Sequence, residues 1–227
     1  MKSVLVVAAH PDDEVLGCGG TMARLAAEGQ AVHVLILGEG ITSRYADRAD
    51  APKEDLEALR SHAQNAAGVL GVKSVAFGGL PDNRFDTVAL LDIVKIVEEQ
   101  IQMHKPQTIY SQHGGDLNID HERTFRAVLT AARPMEGSCV RQVLSYYVGS
   151  SSEWSFAQFD PVFRPTVFTD IGATLEKKLK AMQQYEGESR SFPHPRSPEA
   201  LRAQAQYFGT MAGLSAAEAF NVIYNIQ

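Results

Sequence analysis

Short apolar runs alternate with segments of helical periodicity along the first 150 residues of the chain. Five apolar runs indicate strands, and they lie at residues 4–9, 32–37, 75–77, 108–111 and 140–148. Segments of helical spacing separate them at residues 15–28, 54–70, 88–103 and 121–132. Such alternation is typical of a parallel sheet with helices on both faces. We therefore predict a doubly wound, mostly parallel α/β sheet (Rossmann-like) that is flanked by helices.

The pattern changes after residue 150. Residues 150–165 are aromatic and loop-like, and residues 189–197 form a loop that contains proline and arginine. Helices are predicted at residues 175–185 and 198–211, and residues 219–224 are expected to be extended. We predict a single domain over residues 1–227, in which a helical and loop extension at residues 151–227 packs on the core of residues 1–150.

Charge and hydropathy exclude two classes of protein. The net charge is −6, whereas a nucleic-acid-binding protein normally presents a basic face, so we expect no nucleic-acid partner. No stretch reaches the roughly 18 apolar residues of a membrane helix, and the N-terminal apolar run is too short for a signal peptide. The two cysteines form no metal-binding or disulfide pattern. A cytoplasmic protein without a membrane span is expected.

One imidazole and three carboxylates follow the first predicted strand, in His10-Pro11-Asp12-Asp13-Glu14. In open parallel sheets, ligands bind beyond the carboxyl ends of the strands, which is where this segment lies. Carboxylates so close together are costly unless a cation neutralises them. A solvated acidic loop with a helix-capping Asp is the alternative interpretation. The adjoining His10 and the position after a buried strand favour a divalent metal site.

A third metal ligand must come from another part of the chain. Catalytic zinc sites use three protein ligands and leave one position open, and His10 and Asp13 supply two. His121 is the best candidate for the third because it follows the fourth strand, which flanks the switch point of a doubly wound sheet together with the first. His113 in the same loop is a second candidate. Imidazole ligands favour zinc over magnesium, which prefers oxygen.

These motifs resemble those of a known family. His-Pro-Asp-Asp-Glu after an N-terminal strand, with Asn118-Ile119-Asp120-His121 about a hundred residues later, is similar to the LmbE/PIG-L family of zinc-dependent N-acetylglucosamine deacetylases. Residues 60–72, 80–84 and 217–220 resemble three further family segments, so the similarity spans nearly the whole chain.

The resemblance implies a zinc-dependent hydrolase that removes the N-acetyl group from a small N-acetylated sugar or its conjugate. His10, Asp13 and His121 would bind zinc, and Asp12 would be the general base. Arg60 and Asp82 would face the sugar. The resemblance also implies a homo-oligomer.

Five further positions have open assignments. Many family members have His where this chain has Asn118, and both Asn118 and His194 are candidates for the donor that stabilises the oxyanion. His194 would act in its own site or in that of a neighbouring subunit. Asp120 is expected either to orient a metal-binding imidazole or to cap the following helix. Arg44 and Tyr45, in the long loop after the second strand, are candidates for a lid or a specificity loop.

Other functions lack their sequence signals. Residues 17–20 do not form the dinucleotide-binding G-x-G-x-x-G motif, and the chain has neither a Walker A motif nor the G-x-S-x-G motif of serine hydrolases. A magnesium phosphotransferase that uses Asp12, Asp13 and Glu14 is disfavoured by the imidazole ligands. A metal- or nucleotide-binding α/β protein without amidase activity is the alternative hypothesis.

Overall fold

The computed structural model describes residues 2–227, and the strands within them form a single seven-stranded sheet. The strands are β1 (Ser3–Ala8), β2 (Ala31–Gly38), β3 (Ser74–Leu80), β4 (Thr108–Gln112), β5 (Gln142–Tyr146), β6 (Val167–Asp170) and β7 (Ala217–Asn225). Their order across the sheet is β3-β2-β1-β4-β5-β7-β6. Strands β1 to β5 pair in parallel, and β7 pairs antiparallel with β5 and β6. The predicted doubly wound, mostly parallel sheet is confirmed.

Six α-helices flank the sheet in the described part of the chain. They are α1 (Asp13–Ala27), α2 (Lys53–Leu70), α3 (Leu90–His104), α4 (Ile119–Ala131), α5 (Leu175–Met182) and α6 (Pro198–Ala212). Helices α3 and α4 contribute to the core on one face, whereas α1, α2, α5 and α6 contribute to the core on the other. No helix within residues 2–227 is both long and apolar enough to cross a bilayer.

The apolar run of β1 is continuous because both faces of the strand are covered. Val4, Val6 and Ala8 belong to the core on the α1 side, and Leu5 and Val7 belong to the core on the α3 side. Successive side chains of a strand point to opposite faces, so a strand between two helical layers needs an apolar residue at every position.

The two halves of the sheet separate at β1 and β4. The chain runs outward from β1 through β2 to β3, then crosses to β4 on the other side of β1. Ligand sites of open α/β sheets lie at such a switch point, beyond the carboxyl ends of the strands. Helix α1 begins shortly after β1, and α4 begins shortly after β4, so the N-termini of both helices lie at this crevice.

The C-terminal part adds two strands to the sheet. Residues 219–224 are extended as predicted, within the longer strand β7. Strand β6 was missed, and within the described residues it pairs with β7 alone, through Val167↔Phe220 to Asp170↔Ala217. Its four residues are half-buried or exposed, and such a short edge strand has no clear periodic signal.

A buried ion pair joins this C-terminal part to α1. Lys178 Nζ lies 2.6 Å from Glu218 Oε1 and also donates to Leu16 O at 2.7 Å. The Glu218 carboxylate accepts the backbone N–H groups of Gly20 at 2.9 Å and Thr21 at 2.7 Å. The pair therefore fixes the middle of α1, the helix whose first turn carries Asp13.

Candidate active site

Three side chains converge at the carboxyl ends of β1 and β4. His10 follows β1, Asp13 begins α1, and His121 lies in the first turn of α4. Asp13 Oδ2 lies 3.3 Å from His10 Nδ1 and 3.2 Å from His121 Nε2. Donor atoms bound tetrahedrally to one zinc ion at about 2.1 Å would lie roughly 3.4 Å apart. The spacing and the donor types therefore fit a metal ion.

The charges of the cluster also fit a cation. Burial lowers the pKa of His121, but the charges of Asp13 and Asp116 outweigh burial and raise this pKa to about 9. Burial raises the pKa of Asp13, but the adjacent His121 and His10 rings hold it well below its usual range. This negative environment stabilises positive charge between the two rings.

Each imidazole has a carboxylate behind it. His10 Nε2 lies 2.9 Å from Asp120 Oδ2, and the other oxygen of Asp120 accepts the Phe85 N–H at 2.9 Å. His121 Nδ1 lies 3.2 Å from Asp116 Oδ2, at ion-pair distance and without a hydrogen bond between them. Carboxylates in these positions fix the orientation and the tautomer of metal-binding imidazoles. The cap of α4 is Asn118, whose side chain accepts the Asp120 N–H at 2.8 Å.

Asp12 lies beside the cluster with an unusual backbone conformation. Its φ is 109° and its ψ is −30°, a region that non-glycine residues rarely adopt and that costs on the order of 1–3 kcal/mol. Its carboxylate is buried, and Oδ2 accepts a hydrogen bond from Arg196 Nη1 at 2.7 Å. Burial raises the pKa of Asp12 and outweighs the opposing charge of Arg196. Strain of this kind is typical of functional sites.

A cleft of about 120 Å³ opens over these residues. Its walls include His10, Asp12, Arg44, Asp82, Asn118 and Arg196. Asp82 is held by Ser43, whose N–H and hydroxyl donate to Asp82 Oδ2 at 3.1 Å and 2.6 Å. The cleft thus combines one ligand of the candidate metal site, a buried carboxylate and a polar wall.

A known protein family matches the part of the chain that contains this site. The family profile described as GlcNAc-PI de-N-acetylase, PIG-L, covers residues 5–132, which include the whole candidate metal cluster. The chain belongs to the PIG-L family. The resemblance seen in the sequence motifs is therefore confirmed.

Relatives of this PIG-L protein carry names of two kinds. The chain is 27% identical to the uncharacterized deacetylase YaiS of Escherichia coli, over 75% of this chain and 82% of that protein. It is 24% identical to diacetylchitobiose deacetylase of Thermococcus kodakarensis, over 100% of this chain and 85% of the relative. It is 29% identical to 4-oxalmesaconate hydratase of Pseudomonas putida, over 80% of this chain and 72% of the relative.

Solved structures share the PIG-L fold of this chain. One of them is the structure of GalB, the 4-carboxy-2-hydroxymuconate hydratase of Pseudomonas putida. It has a TM-score of 0.80 at 24% identity, and the match covers 100% of our chain and 98% of the GalB chain. The structure of N,N'-diacetylchitobiose deacetylase of Pyrococcus horikoshii has a TM-score of 0.78 at 20% identity. This match covers 98% of our chain and 84% of the deacetylase chain. Both similarities establish the fold alone.

Some candidate residues of the sequence analysis do not line the cleft of this PIG-L protein, among them Arg60, His113 and His194. Arg60 is exposed on α2, where its guanidinium carbon lies 5.4 Å from the centre of the Phe77 ring. His194 packs edge-on against Trp154 at 5.7 Å, and its Nδ1 accepts the Arg196 N–H at 3.1 Å. His113, the second candidate ligand, instead contacts Ser145 Oγ and Pro161 O.

Gln112 and Asp116 are among the side chains at the site that the sequence analysis missed. Gln112, the last residue of β4, accepts the Ala9 N–H at 3.0 Å and donates to Asp13 Oδ2 at 2.7 Å. Asp116 accepts hydrogen bonds from the hydroxyls of Ser151 and Ser152 behind His121. A polar residue at the end of a buried strand was the available signal for Gln112. An acidic residue five positions before a ligand was the signal for Asp116.

Proposed function

We propose that this PIG-L family protein is a zinc-dependent hydrolase that removes the N-acetyl group from an N-acetylated amino sugar or its conjugate. The arrangement of His10, Asp13 and His121 around one point, with the Asp12 carboxylate in the same cleft, carries the proposal. Two imidazoles and one carboxylate form a donor set of the kind that catalytic zinc sites use. The diacetylchitobiose deacetylase relative supports the choice of substrate class.

In this proposal, His10, Asp13 and His121 hold the zinc ion. The chemistry that zinc supplies when bound is polarisation of the amide carbonyl and a lowered pKa of water. Two donors fix the Asp13 carboxylate, because the side-chain amide of Gln112 and the backbone N–H of His10 both donate to its Oδ2. The ligands are therefore preorganised by hydrogen bonds from the ends of β1 and β4.

Asp12 acts as the general base. Within residues 2–227, the hydrogen bond from Arg196 Nη1 is accepted by Asp12 Oδ2 and leaves Oδ1 free of that contact. Oδ1 is thus the oxygen that accepts a proton from the attacking water, and the protonated carboxyl then delivers this proton to the leaving amine. The raised pKa of the buried Asp12 makes its carboxylate a stronger base for the first of these two steps.

Polar groups of the cleft would bind the sugar and the oxyanion. Asn118 Nδ2 donates one N–H to Asn83 Oδ1 at 2.8 Å, which leaves its second N–H for the oxyanion. Asp82 would accept hydrogen bonds from sugar hydroxyls. Arg60 stays a predicted sugar contact, and His194 a candidate donor in its own site or, in a homo-oligomer, in that of a neighbouring subunit.

A substrate panel tests the proposal. Zinc-loaded protein is incubated with N-acetylated sugars, sugar nucleotides and oligosaccharides, and free amine is measured. We expect amine release that falls on the order of 10²–10⁴-fold in Asp12→Asn, at unchanged zinc content. Asp47→Asn, in the exposed loop after β2, is the matched control and should keep full activity. Undiminished activity of Asp12→Asn would refute its role as the base.

Hydration of a carbon–carbon double bond is the second candidate function. The hydratase relative of Pseudomonas putida, at 29% identity, favours it. Amide hydrolysis and hydration both use an activated water molecule, so the same side chains suit either reaction. Including 4-oxalmesaconate in the panel separates them, because its consumption without any amine release would favour the hydratase and contradict our proposal.

A further inference from the structure

The guanidinium of Arg196 is held at three points beside Asp12. Its Nη1 donates to Asp12 Oδ2 at 2.7 Å and to Glu188 Oε2 at 3.2 Å. Its Nε donates to Ser150 Oγ at 2.8 Å. The side chain of Arg196 is 26% exposed, so its head lies largely out of water, where charged hydrogen bonds are strong. The base of the proposed reaction thus has one dedicated cationic partner.

Glu188 connects this arginine to the opposite wall of the cleft. Its carboxylate also accepts a hydrogen bond from Arg44, which lies in the loop after β2. A row of alternating charges therefore crosses the cleft, in the spatial order Arg44, Glu188, Arg196 and Asp12. Glu188 is 8% exposed, whereas Arg44 is half-exposed at the cleft mouth. Each member of this row is fixed by an opposite charge on its neighbour.

We infer that Arg196 and Glu188 are positioning residues for the Asp12 carboxylate. The terminal torsion of an aspartate side chain has broad preferences, so its backbone does not fix the direction of its oxygens. Arg196 fixes Oδ2 and thereby leaves Oδ1 to face the substrate. Glu188 and Ser150 keep the guanidinium in place. This inference rests on the proposed function, because it assigns the orientation of its general base.

A purely structural role makes different predictions. If Arg196 only neutralised a buried carboxylate, its loss would lower the unfolding temperature and leave kcat of the folded enzyme unchanged. A positioning role instead predicts a lower kcat at unchanged KM, because the substrate still binds while the base is misaligned. Misplacement by about 1 Å can cost on the order of 10²-fold in rate.

The experiment compares Arg196→Met, Arg196→Lys and Glu188→Gln in the zinc-loaded full chain. Arg190→Met and Glu186→Gln are matched controls, because both residues are exposed in the same segment. We expect kcat of Arg196→Met to fall on the order of 10²-fold, with zinc content and KM unchanged. Arg196→Lys should recover part of kcat, Glu188→Gln should show a smaller loss, and the controls should match wild type. Wild-type kcat in Arg196→Met would overturn the inference.

A crystal structure of zinc-loaded Arg196→Met gives a readout independent of activity. We expect the Asp12 carboxylate to be rotated or to occupy two orientations, while His10, Asp13 and His121 keep their places. An Asp12 side chain unchanged from wild type would overturn the inference even if no substrate were turned over. Should Arg196→Met fail to fold, Arg196→Lys and Glu188→Gln serve for the same two measurements. Failure of wild type to release amine from any substrate would instead contradict the proposed function.

Discussion

The Nε2 atom of His10 lies 2.9 Å from Oδ2 of Asp120, a residue whose side chain is fully buried. The Nδ1 atom of the same ring faces Asp13 at 3.3 Å. If Nδ1 binds a metal ion it carries no proton, so Nε2–H is left to donate to Asp120. The carboxylate thereby selects the tautomer that the candidate site requires.

Replacing Asp120 should therefore weaken metal binding. Asp120→Asn keeps the size of the side chain but removes the negative charge behind His10. We expect zinc affinity to fall about 10–100-fold, measured by competition with a chromogenic chelator. Asp92→Asn, on the exposed side of α3, is the control and should leave affinity unchanged. Equal zinc affinity in wild type and Asp120→Asn would contradict this role.

The buried pair of Lys178 and Glu218 should be necessary for stability. Lys178→Met leaves the Glu218 carboxylate buried without its cation, at a cost of about 3–5 kcal/mol in the free energy of unfolding, measured with urea. Arg202→Met breaks the exposed pair with Glu176 and should cost no more than about 1 kcal/mol. Equal losses of unfolding free energy in the two variants would contradict the larger stabilising role of the buried pair.

Two glycines in helices should respond oppositely to alanine. A Cβ atom on Gly17 of α1 would overlap the ring of Tyr146 from β5, whereas a Cβ on Gly68 of α2 would meet no atom within 4 Å from the rest of residues 2–227, its own helix backbone aside. Gly17→Ala should lower the free energy of unfolding by about 1–3 kcal/mol through overpacking. Gly68→Ala should raise it by up to about 1 kcal/mol, since alanine is the better helix former. Chemical denaturation of both variants checks this; stabilisation by Gly17→Ala would contradict the close contact of α1 with β5.

The sequence predicts features that rest on local periodicity and misses those that rest on distant contacts. Strand β1 was predictable because every position is apolar, whereas the short edge strand β6 is defined by its pairing with β7. The metal cluster follows from two motifs and the switch point of the sheet. Gln112 and Arg196 act on Asp13 and Asp12 across 99 and 184 positions, and no local pattern encodes such contacts.

A histidine pair remote from the cleft should make stability depend on pH. The rings of His33, in β2, and His104, at the end of α3, stack with centroids 3.7 Å apart. Burial, with the nearby charges of His104 and Lys73, lowers the pKa of His33 to about 4, and the pKa of His104 is also lowered, mainly by burial. Both rings are therefore neutral in the folded protein at pH values where the unfolded chain begins to bind protons.

The sign of the effect follows from this difference. Below the unfolded pKa of about 6.5, the unfolded state binds more protons than the folded state, so stability falls as the pH decreases from about 6.5 towards 4. His33→Gln removes one titrating ring and should flatten this dependence, measured as the free energy of unfolding in urea at a series of pH values. Asn65→Gln, at an exposed position of α2 that carries no titrating group, is the control and should keep the wild-type slope. An unchanged slope in His33→Gln would mean that His33 titrates alike in the folded and unfolded states, contrary to the effect of its burial.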